Sequence, residues 1–237
     1  MIVVAASDMH GNLDGLDLSG ADVAFFAGDV APLNGLGPWD KYRQVKWVRE
    51  EFVPWCASWP ETKIVFVPGN HDFFPIAGRS RGINDGRDLS LGLEKAPNLT
   101  MLVDQGVELE FPDGRKLSVY GTPWVPIINH MWAFEAYADD LKANFAKIPE
   151  NLDVLLTHAP PRFGYMDVSL ERGRDSERFG SAALTDAILA KKPKACFCGH
   201  IHSGSHIGGV IGETRVWNVS RVNESYEIAY DPLELEL

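Results

Sequence analysis

Residues Gly69-Asn70-His71-Asp72 put an amide, an imidazole and a carboxylate into one turn, straight after the apolar run Ile64 to Pro68. Four more segments repeat this pattern of an apolar stretch followed by ligand-type or acid–base groups. They are Asp8-Met9-His10-Gly11, Gly28-Asp29, Thr157-His158-Ala159-Pro160 and Gly199-His200-Ile201-His202. Five of the 7 histidines lie inside these segments, a concentration that scatter for packing does not explain. Imidazole, carboxylate and amide oxygen together suit zinc, manganese, iron or cobalt better than calcium. A shared carboxylate is the natural bridge between two such ions. Asp29 is the best candidate, because the preceding Gly28 lets the backbone approach closely. Two ions about 3.5–4 Å apart lower the pKa of a bridging water and hold the oxygens of an in-line displacement at phosphorus. Such a site needs no protein nucleophile, and the sequence offers no convincing serine or cysteine triad.

The elements that must position these groups come next. Apolar runs predict strands at Ile2 to Ser7, Asp22 to Ala27, Lys63 to Val67, Val107 to Phe111, Lys116 to Tyr120, Asp153 to Thr157, Lys194 to Cys198, Thr214 to Val219 and Tyr226 to Tyr230. Helical spacing predicts helices over Lys41 to Trp59, His130 to Lys147 and Ser181 to Lys191. Pro112-Asp113-Gly114-Arg115 has the chemistry of a hairpin turn. Early alternation of strand and helix, then hairpins, predicts an α/β (α+β) fold with a mixed sheet or two packed sheets and helices outside. Each of the five clusters falls at the carboxyl end of a predicted strand, where α/β sheets form their sites, so one crevice could collect them all.

The bulk numbers are those of an ordinary globular chain. A length of 237 residues predicts a single domain over 1–237. Hydrophobic content of 45% and charged content of 23% are ordinary for a soluble globular chain. The net charge of −11 makes long nucleic acid a poor partner. Met1 to Ala6 reaches Asp8 too soon for a signal peptide, and no long apolar run predicts a membrane span. The 3 cysteines make no disulfide framework and fit a reducing, cytoplasmic setting. Cys196-Phe197-Cys198 reads as two small side chains on one strand face.

Taken together, the five segments resemble the calcineurin-like metallophosphoesterase family, whose signature runs D-x-H, G-D, G-N-H-D/E, H and G-H-x-H. The resemblance extends from Ile2 to His202. It implies a four-layer sandwich, two mixed β-sheets flanked by helices, with a dinuclear metal site at the sheet edge. It further implies that Asp8, His10 and His202 hold one ion, that Asn70, His158 and His200 hold the other, and that Asp29 bridges them. Manganese leads the candidate metals, ahead of iron, zinc and cobalt. His71 would contact the phosphate and help protonate the leaving oxygen, with Asp72 orienting it. Purple acid phosphatases place a metal-binding tyrosine three residues after the bridging Asp. Pro32 stands there, so an iron–tyrosinate site is not implied. Leu155 to Pro161 and Gly121-Thr122-Pro123-Trp124 look closer to small metallophosphoesterase-domain proteins, some of which hydrolyse cyclic nucleotides.

The expected activity is hydrolysis of a small phosphodiester, a cyclic nucleotide among the candidates, by a metal-activated hydroxide. A phosphomonoesterase is the alternative, and a non-catalytic scaffold on the same fold is the rival from another class. Several residues carry two readings. Asp72 could orient His71 or hold its own turn. Arg79, Arg81 and Arg87, in the long loop Phe73 to Lys95, could grip substrate or sit in solvent beside Asp85 and Asp88. Arg162, close behind His158, is the preferred substrate-side cation. Trp124, Trp132 and Phe163 could stack a base, with core packing the preferred reading for Trp132.

Overall fold

The computed structural model describes residues 1–33, 41–79, 90–169 and 177–237, apart from the side chains of 77–79. Four parallel strands come first: β1 (Ile2–Ala6), β2 (Val23–Ala27), β3 (Lys63–Val67) and β4 (Leu99–Met101). A hairpin follows, β5 (Gln105–Glu110) and β6 (Lys116–Thr122), and then the short parallel pair β7 (Val125–Pro126) and β8 (Glu135–Ala136). The rest are β9 (Val154–Thr157), β10 (Ala195–Cys198), β11 (Gly208–Ile211), β12 (Thr214–Asn218) and β13 (Leu233–Glu236). One sheet has the order β13-β1-β2-β3-β4, and a second has β11-β12-β10-β9-β6-β5.

The pleat sorts side chains into layers. Along β1, β2 and β3, Val4, Ala6, Ala24, Phe26, Ile64 and Phe66 face one apolar cluster, with Val45, Phe52 and Val53 packed on it. The alternate residues Val3, Ala5, Val23, Phe25, Val65 and Val67 face a second cluster, shared with Val154, Leu156, Ala195 and Phe197 of the other sheet. The far face of that sheet, Leu155, Cys196, Cys198 and Val216, packs on Leu141, Phe145, Leu184 and Ile188. The period of two is therefore read twice, and the result is helix, sheet, sheet, helix. Cys196 and Cys198 share a face as two small buried side chains, and burial pushes the Cys196 thiol up to about 12.

The outer helices are α1 (Lys41–Trp47) and α2 (Val53–Ala57) on one side, and α3 (Ala138–Phe145) and α4 (Ala182–Lys191) on the other. A π-turn, Val48–Phe52, joins the first two. Pro54 has no N–H to give back along a regular helix, and the wider turn before it accommodates that loss. Ser181 caps α4 by accepting the Leu184 amide. The expected helix over His130 to Lys147 is real only from Ala138. The expected strand at Tyr226 to Tyr230 is a turn with one isolated bridge, Val222 to Ile228, and β13 lies further on.

Past their last rungs the two sheets touch. Ser7 and Ser220 form an isolated parallel bridge; the Ser7 amide donates to Val219 O at 2.9 Å, and the Arg221 amide donates to Ser7 O at 3.0 Å.

Candidate metal centre

All five clusters meet at this joined end of the two sheets. The backbone there is unusual. Asp8, His10, Asp29 and His200 have φ of 55°, 45°, 52° and 70°, in the left-handed region that side chains with a Cβ avoid. Such outliers persist only where their surroundings over-determine them. Here the loops hold one another. The Asp8 and His10 amides donate to Gly28 O and Asp29 O at 3.0 and 2.9 Å, and the His71 amide donates to Asp29 Oδ1 at 2.8 Å. Gly28 has φ of 100°, and a Cβ on it would collide with the His158 ring. A Cβ on Gly199 would fall on the side chains of Ser7 and Asp8. Both glycines are needed for the close approach.

The donor atoms converge as two overlapping groups. Ligand-type atoms of Asp8, His10 and His202 lie within 4.8 Å of one another, and so do those of Asp8, Asp29 and His158. His202 Nε2 is 3.6 Å from Asp8 Oδ1, and His10 Nε2 is 3.9 Å from Asp29 Oδ2. His158 Nε2 is 3.3 Å from Asp29 Oδ2 and 2.9 Å from Asn70 Oδ1. The His200 ring lies 5.0 Å from the His158 ring, centroid to centroid, and its amide donates to Asp8 Oδ2 at 3.0 Å.

The hydrogen bonds behind this cluster decide what it can hold. His158 Nδ1 is 2.8 Å from Ala27 O, and His202 Nδ1 is 3.1 Å from Asn223 O. A carbonyl only accepts, so each Nδ1 carries a proton and each Nε2 faces inward. At His158 that Nε2 meets the oxygens of Asn70 and Asp29, so a positive charge must sit among them: a proton on Nε2, or a metal ion in its place. Both ring nitrogens of His10 are buried without a hydrogen-bond partner. Such an arrangement is costly unless a cation fills it. The donor set therefore fits two divalent ions of the borderline kind.

The electrostatics respond to the same geometry. Burial opposes charging His158, but the Asp29 carboxylate outweighs it and raises the imidazole to about 9. Burial lowers His10 to about 4 and His200 to about 3. Burial also opposes ionising Asp29, yet His158 and His71 hold it well below the usual carboxylate range.

The Asp72 carboxylate turns to the backbone around it. It accepts the amides of Gly69, Val30 and Ala31 at 2.8, 3.1 and 2.9 Å. It thus locks the loop of Asn70 to the loop of Asp29. Burial and the nearby Asp29 charge push Asp72 up to about 7, against those three amides. Gln44 braces the same turn, donating to His71 O at 2.7 Å and accepting the Phe73 amide at 2.7 Å. The His71 ring lies 4.3 Å from Trp132 and 5.1 Å from His10, with its Nε2 4.0 Å from Asp29 Oδ2.

A cavity of about 230 Å³ opens over the cluster, walled by Asp29, Asn70, His71, Trp132, His200 and Tyr226, among others. Trp132 is half-buried: it packs on the small apolar cluster of Phe73, Ala133 and Phe134, and its ring also lies against His71 at the cavity. Tyr226 is a further residue at the site, its ring 4.9 Å from His10 and 5.1 Å from His202. Nothing in its sequence neighbourhood announces this; its run of aromatics reads as a strand. Arg162 is exposed in the turn after His158 and is not among the described residues walling the cavity. Arg79 ends a 3-10 helix, Phe74–Arg79, but its side chain lies outside the described residues, as do Arg81 and Arg87 altogether. Phe163 packs on the outer core cluster, and the Trp124 indole N–H donates to Asp104 at 2.8 Å.

Residues 1–204 match the family model for calcineurin-like phosphoesterases. The chain belongs to that family. Human metallophosphoesterase domain-containing protein 1 is 27% identical over 99% of this chain and 70% of its own length. A Caenorhabditis elegans protein, UPF0046 protein C25E10.12, is 26% identical over 99% of this chain and 80% of its own. Among solved structures, the Mycobacterium tuberculosis phosphopantetheinyl hydrolase shares the fold, with a TM-score of 0.52 and 17% identity over 92% of this chain and 88% of that one. The chain is a phosphoester hydrolase of a family that works with a dinuclear divalent metal centre. Among the described residues no helix is long and apolar enough to cross a membrane.

Proposed function

We propose that this phosphoesterase hydrolyses a small phosphodiester, with a cyclic nucleotide among the candidates, in the cavity over the five clusters. Asp8, His10 and His202 would hold one divalent ion, and Asn70, His158 and His200 the other, with Asp29 shared. Manganese is the first metal to test. When bound, such ions supply Lewis acidity to the phosphoryl oxygens and a water that ionises near neutral pH.

The chain's own residues do the rest. His71 stands at the cavity wall, its main chain pinned by Asp29 and Gln44, and would deliver a proton to the leaving oxygen. Trp132 covers one side of that imidazole. Asp72 fixes the relative position of the Asp29 and Asn70 loops, so that donor groups from separate strands stay in register.

The observation that supports a diester is the cavity wall. No lysine or arginine is among its described lining residues. A dianionic monoester is normally gripped by such cations, whereas a diester carries one negative charge. The net charge of −11 also argues against a long polyanion. The test is an assay of bis-p-nitrophenyl phosphate against p-nitrophenyl phosphate with manganese, zinc, iron and cobalt in turn. A higher kcat/KM on the diester is expected, together with loss of hydrolysis in Asp29→Ala. A preference for the monoester would overturn the diester reading, and activity that persists in Asp29→Ala after metal removal would overturn the dinuclear one.

A further inference from the structure

Trp132 has a cavity on each side. One is the space over the ligand cluster. The other, about 530 Å³, is walled by Trp124, Ile127, His130, Tyr137 and Asn144, with Trp132 shared between the two. Nothing in the reaction at the cluster uses this second space.

The loop between them is built to hold its shape. The Glu135 carboxylate accepts four amides, from Ile128, Asn129, His130 and Trp132, at 2.6, 2.9, 3.2 and 3.0 Å. Burial opposes its ionisation, but those amides outweigh it and lower the Glu135 pKa. The Ala133 amide donates to the main-chain oxygen of Asn70 at 3.0 Å, so the loop is moored to the ligand cluster itself. The loop carries large apolar groups into solvent: Ile128 is 47% and Met131 60% exposed, and Tyr137 just beyond it 63%. His130 and Tyr137 lie with ring centroids 5.6 Å apart.

We propose that this second cavity is a subsite for a planar aromatic or heteroaromatic arm of the phosphodiester, the arm that stays on phosphorus. The inference rests on the phosphodiesterase reading above. Its walls are indole, imidazole and phenol rings, which favour flat partners through offset or edge-to-face contacts. Glu135 and Asp140 line it too, so a second phosphate would be repelled and an uncharged arm preferred. The leaving oxygen would lie at His71, and Trp132, which packs on the His71 ring, also walls the second cavity. The group that reaches past Trp132 is therefore the retained one. This makes Tyr137 and His130 specificity-determining residues, and Glu135 a positioning residue.

Two diesters with the same leaving group separate the arms: bis-p-nitrophenyl phosphate, whose retained arm is aromatic, and methyl p-nitrophenyl phosphate, whose retained arm is not. Kinetics on the metal-loaded wild type, Tyr137→Ala, Tyr137→Phe and His130→Ala test the subsite. Thermal melts and metal content by mass spectrometry run beside them confirm that each variant is folded and loaded. The expected result is a KM for the bis-aryl ester raised about five- to tenfold in Tyr137→Ala and His130→Ala. kcat should stay within about twofold, the methyl ester should be unaffected, and Tyr137→Phe should behave as wild type. If both diesters change equally, or neither does, the subsite is overturned while the phosphodiesterase reading stands. Hydrolysis of neither diester by the loaded wild type would take that reading down and the subsite with it.

Discussion

The carboxylate of Asp72 accepts the amide of Ala31 at 2.9 Å, across 41 residues of sequence. With the Val30 and Gly69 amides on the same carboxylate, one side chain of the His71 turn sets the position of the peptide after Asp29. Asp72→Asn would turn an N–H toward an amide donor and loosen that peptide. Partners of this kind typically contribute 10–100-fold to metal affinity. Manganese titrated into the metal-free variant should bind about tenfold or more weakly, with the melting temperature only modestly lower. Equal affinity in the two proteins would reduce Asp72 to a local turn brace.

Gly28 admits no side chain. Gly28→Ala would carry both the left-handed penalty of about 1–2 kcal/mol and a collision with the His158 ring. A fall in melting temperature of at least about 3 °C is expected, together with lost metal. Calorimetry and elemental analysis of the purified variant check both. A variant that melts and loads like wild type would mean that His158 can move aside.

Metal removal should be visible without any substrate. Chelation leaves the Asp8 and Asp29 side chains buried close together and the His10 ring nitrogens buried without a partner. A ligand present at 1,000 times its dissociation constant contributes about 4 kcal/mol, or roughly 8–16 °C in melting temperature for a chain of this size. Manganese should restore what a chelator takes away. An unchanged melting curve would deny the cluster its metal.

Glu135→Ala frees four amides of the Trp132 loop at once. Their solvent can replace the carboxylate, so stability should change little. The position of Trp132 against His71 should not survive as well. An increase of about tenfold in KM for bis-p-nitrophenyl phosphate is expected, with metal content unchanged and a red shift in tryptophan emission. An unshifted emission spectrum would show that the loop holds Trp132 without Glu135.

Acid stability offers a check far from the site. Burial pushes Asp153 up, but Lys194 at 2.7 Å and the Ser118 amide and hydroxyl at 2.8 Å outweigh it and leave its pKa lowered. A carboxylate lowered on folding stabilises above its unfolded value near 3.9, and that contribution is lost as pH falls through the folded value. Urea melts of wild type and Asp153→Asn should therefore differ at pH 7 and converge from about pH 4 downward. A gap that is constant with pH would remove the charge from the explanation.

The parts of this fold that the sequence announces are those where one local rule acts alone. Lys63 to Val67 is an apolar run ended by Pro68 and Gly69, and the strand has those bounds. Asp8, Asp29, Asn70, His158 and His200 were visible because polar ligand groups at strand ends have little else to do. Other residues obey competing rules. Met131, Trp132 and Phe134 carry apolar side chains at helix-like spacing, but Glu135 takes the amides a helix would need, and Phe134 has φ of 58°. The aromatic run Tyr226 to Tyr230 has strand propensity, yet Asn223 claims the Ser225 and Glu227 amides with its side chain and makes a turn. Leu233-Glu234-Leu235-Glu236 does alternate like a half-buried strand and pairs along β1 from Glu236 to Leu233. Its signal lay in the pattern, and was outweighed by the stronger β-formers just before it. Tyr226 reaches the site only through tertiary placement, which no local pattern encodes.

The bridge between Ser7 and Ser220 has a mechanical meaning. Main-chain hydrogen bonds tie the two sheets together at the very end where the donor groups meet. The sheets cannot swing open like jaws without breaking them. The floor of the cavity is thus held by main chain from both sheets, and a substrate meets donor groups whose spacing is set by the backbone.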